Sequence, residues 1–453
     1  MEIHRTKFVI AIVIVASSAR SQELPKLPNF DRRTPIVIAV ENVGPAVVNV
    51  RAQEFVARRS GPFGNMFAEP EDVEIMPDGR KATTRSLGSG VIIHPDGYVL
   101  TNDHVIDGAQ RITLQMKSVA GGRSYEAEVI NSNVDNDLAL LRVLNVPGPL
   151  PFALLGDSDA ALVGETVIAL GNPLGLSSTV TSGILSAKDR EVRFEGKPIF
   201  KDFLQIDSPI YPGSSGGALL DINGRLIGIN TAIRREAAGG IGFAIPSNRV
   251  KELVARLMDP SVLGHCRLGF DVDAALNGAR VSRIDQEGPA IDAGLLVGDV
   301  VTAIDGARIT GAIDFLATWL KRTPAATAKL TVSRAGRDVT VQLKPAAPGN
   351  TDSVGSDITS LGFKLADITP PIARRFNIPA GEDGVVVTEV AAGTVAAQLA
   401  LKPGDRVVSF GRYRIRSAAD IAKIVPALRR ATAAVTIKIL RDGVVFSGNV
   451  PLR

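Results

Sequence analysis

The stretch from Pro212 to Gly217 suggests covalent chemistry more clearly than any other part of this chain, because it sets a serine hydroxyl among glycines. Serine becomes an effective nucleophile when a neighbouring base removes its proton and backbone N–H groups receive the oxyanion. Glycines allow the tight turn and the close approach of a carbonyl group that this reaction needs. Upstream, His104 supplies a base, and Asp137 supplies a carboxylate at the start of an apolar run. The chain order His, Asp, Ser therefore predicts a catalytic triad.

Two positions of this triad have a rival close by. Ser214 and Ser215 are adjacent, and the pattern Gly-x-Ser-Gly-Gly selects Ser215 as the nucleophile. Asp135 lies two residues before Asp137, and residues two apart on a strand face the same side, so alternation does not choose between them. The base has no comparable rival. The other histidines fall in the N-terminal segment, in a hairpin turn and beyond the β-rich region: His4, His94 and His265.

The composition is that of an ordinary globular protein, and its 453 residues leave room for two to four domains. The net charge of +4 is small for this length and no basic stripe is present, so nucleic acid is not expected as a partner. The single cysteine, Cys266, excludes an internal disulfide. Cys266 and its neighbour His265 are only two potential ligands, which do not make a metal site, so neither a metal nor another cofactor is predicted.

Residues 1–19 have the organisation of a signal peptide. Arg5 and Lys7 precede the apolar run Phe8–Ala16, and the small residues of Ser17–Ala19 follow. Nine apolar residues are too few for a membrane-spanning helix. We therefore expect export with cleavage. The alternative is an uncleaved anchor or an interfacial helix, which would give at most peripheral membrane association.

Short β-rich segments separated by turns predict a mostly β domain between about Val37 and Ile245. Val91–Ile93 and Tyr98–Leu100 flank a His-Pro-Asp-Gly turn and predict a hairpin. Residues 51–86 lack regular alternation and are predicted to form a long mobile loop. Further strands are predicted at Leu138–Val143 and Leu226–Asn230, and the contacts of the long loop are assigned to Phe63, Met66 and Phe67.

After this region the sequence predicts a helix and then an imperfect repeat. Apolar residues at helical spacing begin at Ser247 and end before Pro260. Leu268-Gly269-Phe270 recurs as Leu361-Gly362-Phe363, and Gly298-Asp299 recurs as Gly404-Asp405. The Pro- and Gly-containing segment 345–357 separates the copies and reads as a linker.

Six segments in this order resemble those of the Deg/HtrA family of PDZ-containing serine proteases: Gly88–Ile92, Thr101–Val105, Asp137–Leu141, Gly171–Gly175, Thr179–Ala187 and Gly242–Ser247. The resemblance extends from about Pro25 to the C-terminus. It implies a chymotrypsin-like double six-stranded β-barrel over 25–258, followed by two α+β PDZ domains at 262–344 and 358–453. It also implies ATP-independent proteolysis of unfolded polypeptides and a homo-oligomer built from trimers. The Asp-Leu-Ala-Leu-Leu match favours Asp137 over Asp135.

The resemblance also implies roles for individual residues. The backbone N–H groups of Gly213 and Ser215 would form the oxyanion hole. The substrate would contact the loop and strand residues Ile210, Gly213, Ser214, Ile229, Asn230, Thr231 and Ala232. Each PDZ domain would bind a peptide C-terminus through a carboxylate loop, namely Arg267, Leu268, Gly269 and Phe270 in the first and Ser360, Leu361, Gly362 and Phe363 in the second.

The segment before the nucleophile departs from the family's usual pattern. Ser214 stands where the family has Asn, which leaves the backbone donors of the oxyanion hole in place. Pro209 and Tyr211 lie in the loop whose rearrangement switches the family's enzymes between resting and active states. Because proline fixes φ and lacks an N–H, we expect the regulation of this loop to differ while the chemistry is kept.

The sequence therefore predicts an exported, periplasmic serine endopeptidase that degrades unfolded proteins. The alternative is a chaperone or adaptor that holds unfolded chains with weak or regulated proteolysis. Ile210, with no Asp or Glu at the position that would bind Lys or Arg, predicts cleavage after aliphatic residues. The short helical connection at Ser247–Met258 predicts that the first PDZ domain is coupled to the protease, with Arg190 as a candidate relay.

Overall fold

The computed structural model describes residues 31–55, 73–75, 81–107, 109–116, 123–146, 148–172, 179–194, 197–231, 241–275, 277–324, 326–347, 362–368, 370–376, 378, 384–410, 413–415, 421, 435–441 and 444–450. The predicted signal peptide lies outside these ranges, as do most of the predicted long loop, including Phe63, Met66 and Phe67, and the site residues Ala232, Ser360 and Leu361. In the described part of the chain, no helix has the length and apolar character needed to cross a bilayer.

An antiparallel barrel forms the first half of the β-rich region. Its strands follow one another in the order β1-β5-β6-β7-β4-β3-β2, and an additional pairing of β1 with β3 closes six of them into a ring. The strands are β1 Val47–Phe55, β2 Val73–Ile75, β3 Lys81–His94, β4 Tyr98–Thr101, β5 Arg111–Gln115, β6 Ser124–Asn133 and β7 Leu138–Val143. Helix α1 (Pro35–Val43) precedes them and helix α2 (Asp103–Ile106) follows β4.

Two details of this barrel bear on the sequence-based expectations. The predicted hairpin is confirmed, since β3 and β4 pair with Val91 opposite Leu100. The predicted mobile loop starts too early and ends too late, because β1 continues to Phe55 and β3 begins at Lys81.

A second antiparallel barrel follows and is closed in the order β10-β13-β12-β11-β8-β9. Its strands are β8 Thr166–Gly171, β9 Thr179–Phe194, β10 Lys197–Ile206, β11 Ala218–Asp221, β12 Leu226–Thr231 and β13 Gly242–Pro246. Every residue of β12 is buried, which confirms the buried strand predicted at Leu226–Asn230. The pair of barrels confirms the predicted chymotrypsin-like architecture.

Helix α3 (Ser247–Leu257) leaves the second barrel and leads into the C-terminal region. Its buried apolar residues stand at the predicted helical spacing: Val250, Leu253, Val254 and Leu257. The same helix contacts β12 and β13 behind it, and ahead of it a strand at Phe270–Ala275 and a helix at Ala312–Leu320. The helix therefore packs against both the protease barrels and the first C-terminal copy.

The two C-terminal copies have the same topology. The first is ordered β14-β15-β16-β18-β19 with β17 on β16, and the second β20-β21-β22-β24-β25 with β23 on β22. The first contains β14 Phe270–Ala275, β15 Gly278–Ile284, α4 Pro289–Asp292, β16 Val300–Ile304, β17 Ala307–Arg308, α5 Ala312–Leu320, β18 Ala328–Arg334 and β19 Arg337–Leu343. The second contains β20 Phe363–Asp367, α6 Pro370–Arg375, β21 Val385–Val390, α7 Val395–Gln398, β22 Arg406–Phe410, β23 Tyr413–Arg414, β24 Val435–Arg441 and β25 Val444–Val450.

The buried apolar side chains of the described residues form three clusters, and their boundaries differ from those of the barrels and the C-terminal copies. One continuous cluster includes the first barrel, part of the second barrel, α3 and the first C-terminal copy. The rest of the second barrel and the second C-terminal copy form two smaller clusters. The first copy also uses residues after β19, because Arg267 and Ala346 exchange two backbone hydrogen bonds of 3.0 Å.

Candidate active site

His104 and Asp137 form a hydrogen-bonded pair inside the first barrel. His104 lies on α2, and its Nδ1 is 2.9 Å from both carboxylate oxygens of Asp137. The backbone N–H of His104 also donates to Asp137 Oδ1 at 3.0 Å. A proton on Nδ1 directed at a carboxylate leaves Nε2 as the acceptor, which is the tautomer that a general base requires.

The backbone explains why Asp137, and not Asp135, faces the histidine. Residues Val134–Asn136 form a turn of 3-10 helix, and Asp137 follows it in the left-handed region with φ of 49°. The strand begins only at Leu138. The expectation that both carboxylates would lie on one side of a strand is therefore wrong, and the turn directs the Asp137 side chain to His104.

Two neutral side chains hold Asp137 in this position. Thr231 donates its hydroxyl to Asp137 Oδ2 at 3.1 Å, and the side-chain amide of Asn102 donates to the Asp137 carbonyl at 2.8 Å. Thr231 ends β12 of the second barrel, so its hydrogen bond crosses between the barrels. The sequence placed Thr231 in the substrate pocket. Its contact with Asp137 could not be found by local pattern, because the two residues are 94 positions apart.

These contacts change the acidity of the imidazole. Burial disfavours the imidazolium, but the hydrogen bond to Asp137 and the charges of Asp137 and Asp103 outweigh it and raise the pKa of His104. Asp137 is buried, whereas about half of the His104 side chain is exposed. The imidazole can thus exchange a proton at Nε2 while Nδ1 stays bound to Asp137.

The turn that carries Ser215 is fixed by its own backbone and by β12. Ser214 N–H donates to Tyr211 O at 2.9 Å, and Gly217 N–H donates to Ser214 O at 3.0 Å. Gly216 and Gly217 exchange backbone hydrogen bonds of 2.8 and 2.9 Å with Asn230. Gly213 has φ of 87°, a conformation that favours glycine, so the glycine expected from the chemistry is also required by the backbone.

The neighbouring serines have different surroundings. A Cβ built at Gly171 would stand 2.7 Å from Ser214 Oγ, so this hydroxyl packs against β8. The carbonyl of Ser215 accepts a hydrogen bond of 2.8 Å from Ser89 N–H of the first barrel. This arrangement supports Ser215 as the residue that faces the boundary between the barrels.

The comparisons with known proteins agree with this arrangement. A model of the trypsin-like peptidase domain matches residues 88–229, and a model of the PDZ domain matches residues 266–344. A Marinomonas protein described as a probable periplasmic serine endoprotease, DegP-like, is 32% identical over 96% of this chain and 96% of its own. The Escherichia coli periplasmic pH-dependent serine endoprotease DegQ is 34% identical over 89% of this chain and 88% of its own. The chain belongs to the Deg/HtrA family of serine endoproteases.

A solved structure, the HtrA-type protease AlgW with decapeptide, is also similar to this chain. It is 33% identical, covers 69% of this chain and 98% of its own, and has a TM-score of 0.41.

The remaining residues predicted to contact the substrate of this Deg/HtrA protease differ in what they could offer it. Ile229 and Asn230 are fully buried, and the Asn230 side chain donates to the Ala218 carbonyl at 2.9 Å. Their side chains belong to the barrel interior, so a substrate could meet only their backbone. Ile210 is partly buried, and a Cβ at Gly242 would stand 2.7 Å from its Cγ1. Ile210 therefore packs against β13 as well as lying in the loop before the nucleophile.

The loop that contains Pro209 is tied to β9. Asp207 Oδ1 accepts from Ile184 N–H at 2.6 Å, and the Thr181 hydroxyl accepts from Ser208 Oγ at 2.8 Å and donates to the Pro209 carbonyl at 2.9 Å. Arg190, the candidate relay, donates to Gln205 Oε1 on the adjacent strand at 2.9 Å. This contact of Arg190 is with a side chain of β10 and not with a backbone carbonyl of the loop.

The predicted carboxylate loops have matching backbones in the two copies. Gly269 has φ of 80° and Gly362 has φ of 86°. The carbonyl of Gly269 accepts a 2.8 Å hydrogen bond from Asp285 N–H, just after β15, and that of Gly362 accepts one of the same length from Ala391 N–H, just after β21. Around the first loop, Leu268 and Phe270 are buried, while Arg267 is exposed and binds Asp285 at 3.1 Å. Phe363 is buried in the second copy.

Cys266 has a structural environment. Its Sγ accepts a hydrogen bond of 3.1 Å from Trp319 Nε1, and burial raises the pKa of the thiol. Across the described residues, no three His, Cys, Asp or Glu side chains are grouped in a way that could hold a metal ion.

Proposed function

We propose that this Deg/HtrA protease cleaves unfolded exported polypeptides in the bacterial periplasm by an acyl-enzyme mechanism. His104 acts as the general base, Asp137 orients it, and Ser215 is the nucleophile. The observation that carries the proposal is the double contact of His104 Nδ1 with the buried carboxylate of Asp137, at 2.9 Å to each oxygen. Its relatives are named as periplasmic serine endoproteases.

The reaction follows from these roles. His104 Nε2 takes the hydroxyl proton of Ser215 as Oγ attacks the scissile carbonyl carbon, and the carbonyl oxygen becomes an oxyanion that the N–H groups of Gly213 and Ser215 stabilise. The imidazolium then protonates the leaving amine, the C–N bond breaks, and an acyl ester on Ser215 remains. A water molecule activated by His104 hydrolyses this ester and restores the free enzyme.

The proposal includes partners and specificity. Unfolded chains are the substrates, and peptides with a free C-terminus bind the loops at Arg267–Phe270 and Ser360–Phe363. The protein assembles as a homo-oligomer of trimers or their multiples. Ile210, packed against β13, supports a small apolar primary pocket and hence cleavage after Val, Ala, Leu or Ile. Sequencing of the fragment termini from a denatured protein tests this, and a dominant Lys or Arg preference would contradict it.

Digestion of a reduced, denatured protein tests the central assignment. Ser215→Ala should lower kcat by about 10⁴- to 10⁶-fold, as loss of a triad member does, with an unchanged circular dichroism spectrum and unchanged oligomer mass. Ser214→Ala is the matched comparison, and it should lower kcat far less than Ser215→Ala does, because the Ser214 hydroxyl packs against β8. Activity that is lost in Ser214→Ala and kept in Ser215→Ala would overturn the assignment. A wild-type protein that suppresses aggregation without cleaving would favour the chaperone or adaptor alternative.

A further inference from the structure

Ser89 is a fully buried residue of the first barrel that contacts the nucleophile turn of the second barrel twice. Its hydroxyl is 2.7 Å from the carbonyl of Gly213, and its backbone N–H donates to the carbonyl of Ser215 at 2.8 Å. Gly213 and Ser215 are the two residues to which the oxyanion donors are assigned. We infer that Ser89 is a positioning residue for the oxyanion hole, an inference that rests on the proposed roles of Gly213 and Ser215.

The direction of the hydroxyl proton follows from its second partner. The backbone N–H of Asn172 points at Ser89 Oγ from 2.8 Å and can only donate. The hydroxyl accepts that hydrogen bond and has its own proton left for the Gly213 carbonyl. Ser89 therefore donates to Gly213 and accepts from Asn172, and one hydroxyl connects the nucleophile turn to the end of β8.

The residues around Ser89 hold it in this orientation. The Thr101 hydroxyl donates to the Ser89 carbonyl at 2.7 Å. The side-chain amide of Asn49, which is buried, donates to the Asn172 carbonyl at 2.8 Å and is 3.3 Å from the Gly88 carbonyl. A Cβ at Gly216 would stand 2.2 Å from the Ser89 carbonyl, so the turn approaches Ser89 too closely for any other residue at that position.

A fixed carbonyl matters here because of the conformational freedom of glycine. The peptide Gly213–Ser214 is planar, so its orientation is set when its oxygen is bound by Ser89 and its N–H by Tyr211 O. Gly213 has φ of 87° and can rotate at little steric cost, so its own backbone does not fix the direction of its N–H. From the neighbouring barrel, the hydroxyl of Ser89 holds the peptide that follows Gly213, which restricts rotation about ψ of Gly213 and so limits the directions open to its N–H.

The inference is tested by kinetics on the full-length protein. Ser89→Ala should lower kcat for a reporter peptide by about 10- to 100-fold, less than the roughly 10²- to 10³-fold loss of an oxyanion donor itself, with KM changed less than about threefold. The affinity for a peptide boronic acid, which forms a tetrahedral adduct with the nucleophilic serine, should fall in the same proportion. The acidic limb of the pH profile should not move, since His104 is unchanged.

Two further variants separate positioning from general stability. Ser247→Ala is the matched control. Ser247 is equally buried and donates its hydroxyl to the backbone carbonyl of Gly156 at 3.0 Å. It directly follows β13, at the end of that strand opposite to Gly242. Ser247→Ala should lower the melting temperature about as much as Ser89→Ala does and leave kcat near wild type. Ser89→Thr keeps a hydroxyl on a strand that tolerates β-branched residues and should recover most of kcat.

The outcomes separate this inference from the proposed function. If wild type binds the boronic acid and Ser89→Ala binds it equally well with an unchanged kcat, the role of Ser89 is wrong and the triad stands. If wild type does not bind the boronic acid, or Ser215→Ala stays active, the proposed function itself fails. If Ser89→Ala does not fold, Ser89→Cys replaces it at similar volume with a weak donor, and a wild-type kcat in that variant overturns the inference.

Discussion

The two C-terminal copies contain the same ion pair in the same place, between a buried aspartate and a partly exposed arginine. In the first, Arg334 binds both carboxylate oxygens of Asp299 at 2.7 Å and also donates to the Gly294 carbonyl at 2.8 Å. In the second, Arg441 binds Asp405 at 2.5 and 2.6 Å and donates to the Ala400 carbonyl at 2.8 Å. Each aspartate also accepts a backbone N–H three residues before it, at 3.0 and 2.7 Å. The pair joins the loop before the third strand to the last hairpin of each copy.

The copies differ in how their apolar cores relate to the protease barrels. The core of the first copy is continuous with α3 and the first barrel. On its surface, Asp314 of α5 is 3.3 Å from His94 Nε2, and Lys321 binds Asp96, so α5 contacts the β3–β4 turn of the protease. The core of the second copy is a separate cluster in the described part of the chain. One fold thus occurs once as part of the protease unit and once as an appended domain.

The largest expected effect comes from breaking the shared ion pair in each copy. Asp299→Ala and Asp405→Ala each remove a buried carboxylate and leave the guanidinium and backbone N–H groups that it bound without their acceptor, so each should destabilise its own copy. The only tryptophan of the chain, Trp319, is buried on α5, so its fluorescence reports the first copy. Asp299→Ala should lower the urea midpoint of Trp319 fluorescence together with that of protease activity.

Asp405→Ala provides the control for that measurement. It should leave the midpoints of fluorescence and activity in place and lower only a separate calorimetric transition. A loss of protease stability in Asp405→Ala as large as in Asp299→Ala would mean that the second copy is as closely integrated as the first.

A smaller effect is expected on activation by peptides. A peptide with a free hydrophobic C-terminus should stimulate cleavage of a reporter peptide, and coupling of about 1–3 kcal/mol corresponds to about 5- to 150-fold. Deletion of 358–453 should keep the stimulation, and deletion of 264–453 should remove it. The deletion of 264–453 would also expose the apolar core that the first copy shares with α3 and the first barrel. Gly269→Asp in the full chain avoids this, and its carboxylate would repel the C-terminal carboxylate of the peptide.

Gly362→Asp in the second copy is the control for Gly269→Asp. A side chain at Gly362 would meet Thr394 Cβ at 2.1 Å, so Gly362→Asp disrupts its loop more severely than Gly269→Asp, where the nearest contact is 3.3 Å. Stimulation should nevertheless survive Gly362→Asp. A stimulated rate that disappears in Gly362→Asp but not in Gly269→Asp would reverse the roles of the two copies.

Removal of the second copy should not change the pH profile of kcat/KM. The groups that raise the pKa of His104 are Asp137 and Asp103, both in the first barrel. The base must be neutral, so kcat/KM should fall as the pH drops through a pKa above the ordinary value of about 6.5. The full chain and a chain lacking 358–453 should give the same acidic limb. A limb at or below 6.5 in either protein would contradict the raised pKa.

Local patterns were sufficient for some elements and insufficient for the contacts between them. The hairpin of β3 and β4 follows from turn chemistry, and the apolar positions of α3 follow from the helical period. The end of β1 and the start of β3 were missed because residues 51–86 lack regular alternation. The side-chain contacts that orient the site and join the domains connect residues 94, 124 and 220 positions apart, as in Thr231–Asp137, Ser89–Gly213 and His94–Asp314. No local pattern encodes such pairs, because each depends on how two barrels or two domains pack.

The smallest expected effect concerns the contact between Asp314 of the first copy and His94 of the protease. Burial alone would raise the pKa of Asp314, but hydrogen bonds from His94 and Thr310 outweigh it, and the pKa is lowered. Since the folded pKa lies below the unfolded one, the stabilisation is present above about pH 4 and is lost as the pH falls through the folded value. The contact is partly exposed, so its contribution should be below about 1 kcal/mol.

Asp314→Asn tests this contribution through Trp319 fluorescence in urea between pH 6 and pH 3. The variant should be slightly less stable than wild type at pH 6, and the difference should shrink as the pH falls through the lowered pKa of folded Asp314. Asp338→Asn, an exposed carboxylate of the same copy, is the control and should match wild type at both ends of the range. If Asp314→Asn is as stable as wild type at pH 6, the His94–Asp314 contact does not help to hold the first copy, and the attachment rests on the apolar contacts with α3 and on the Lys321–Asp96 pair. In that case buried area accounts for more of the difference between the copies than this contact does.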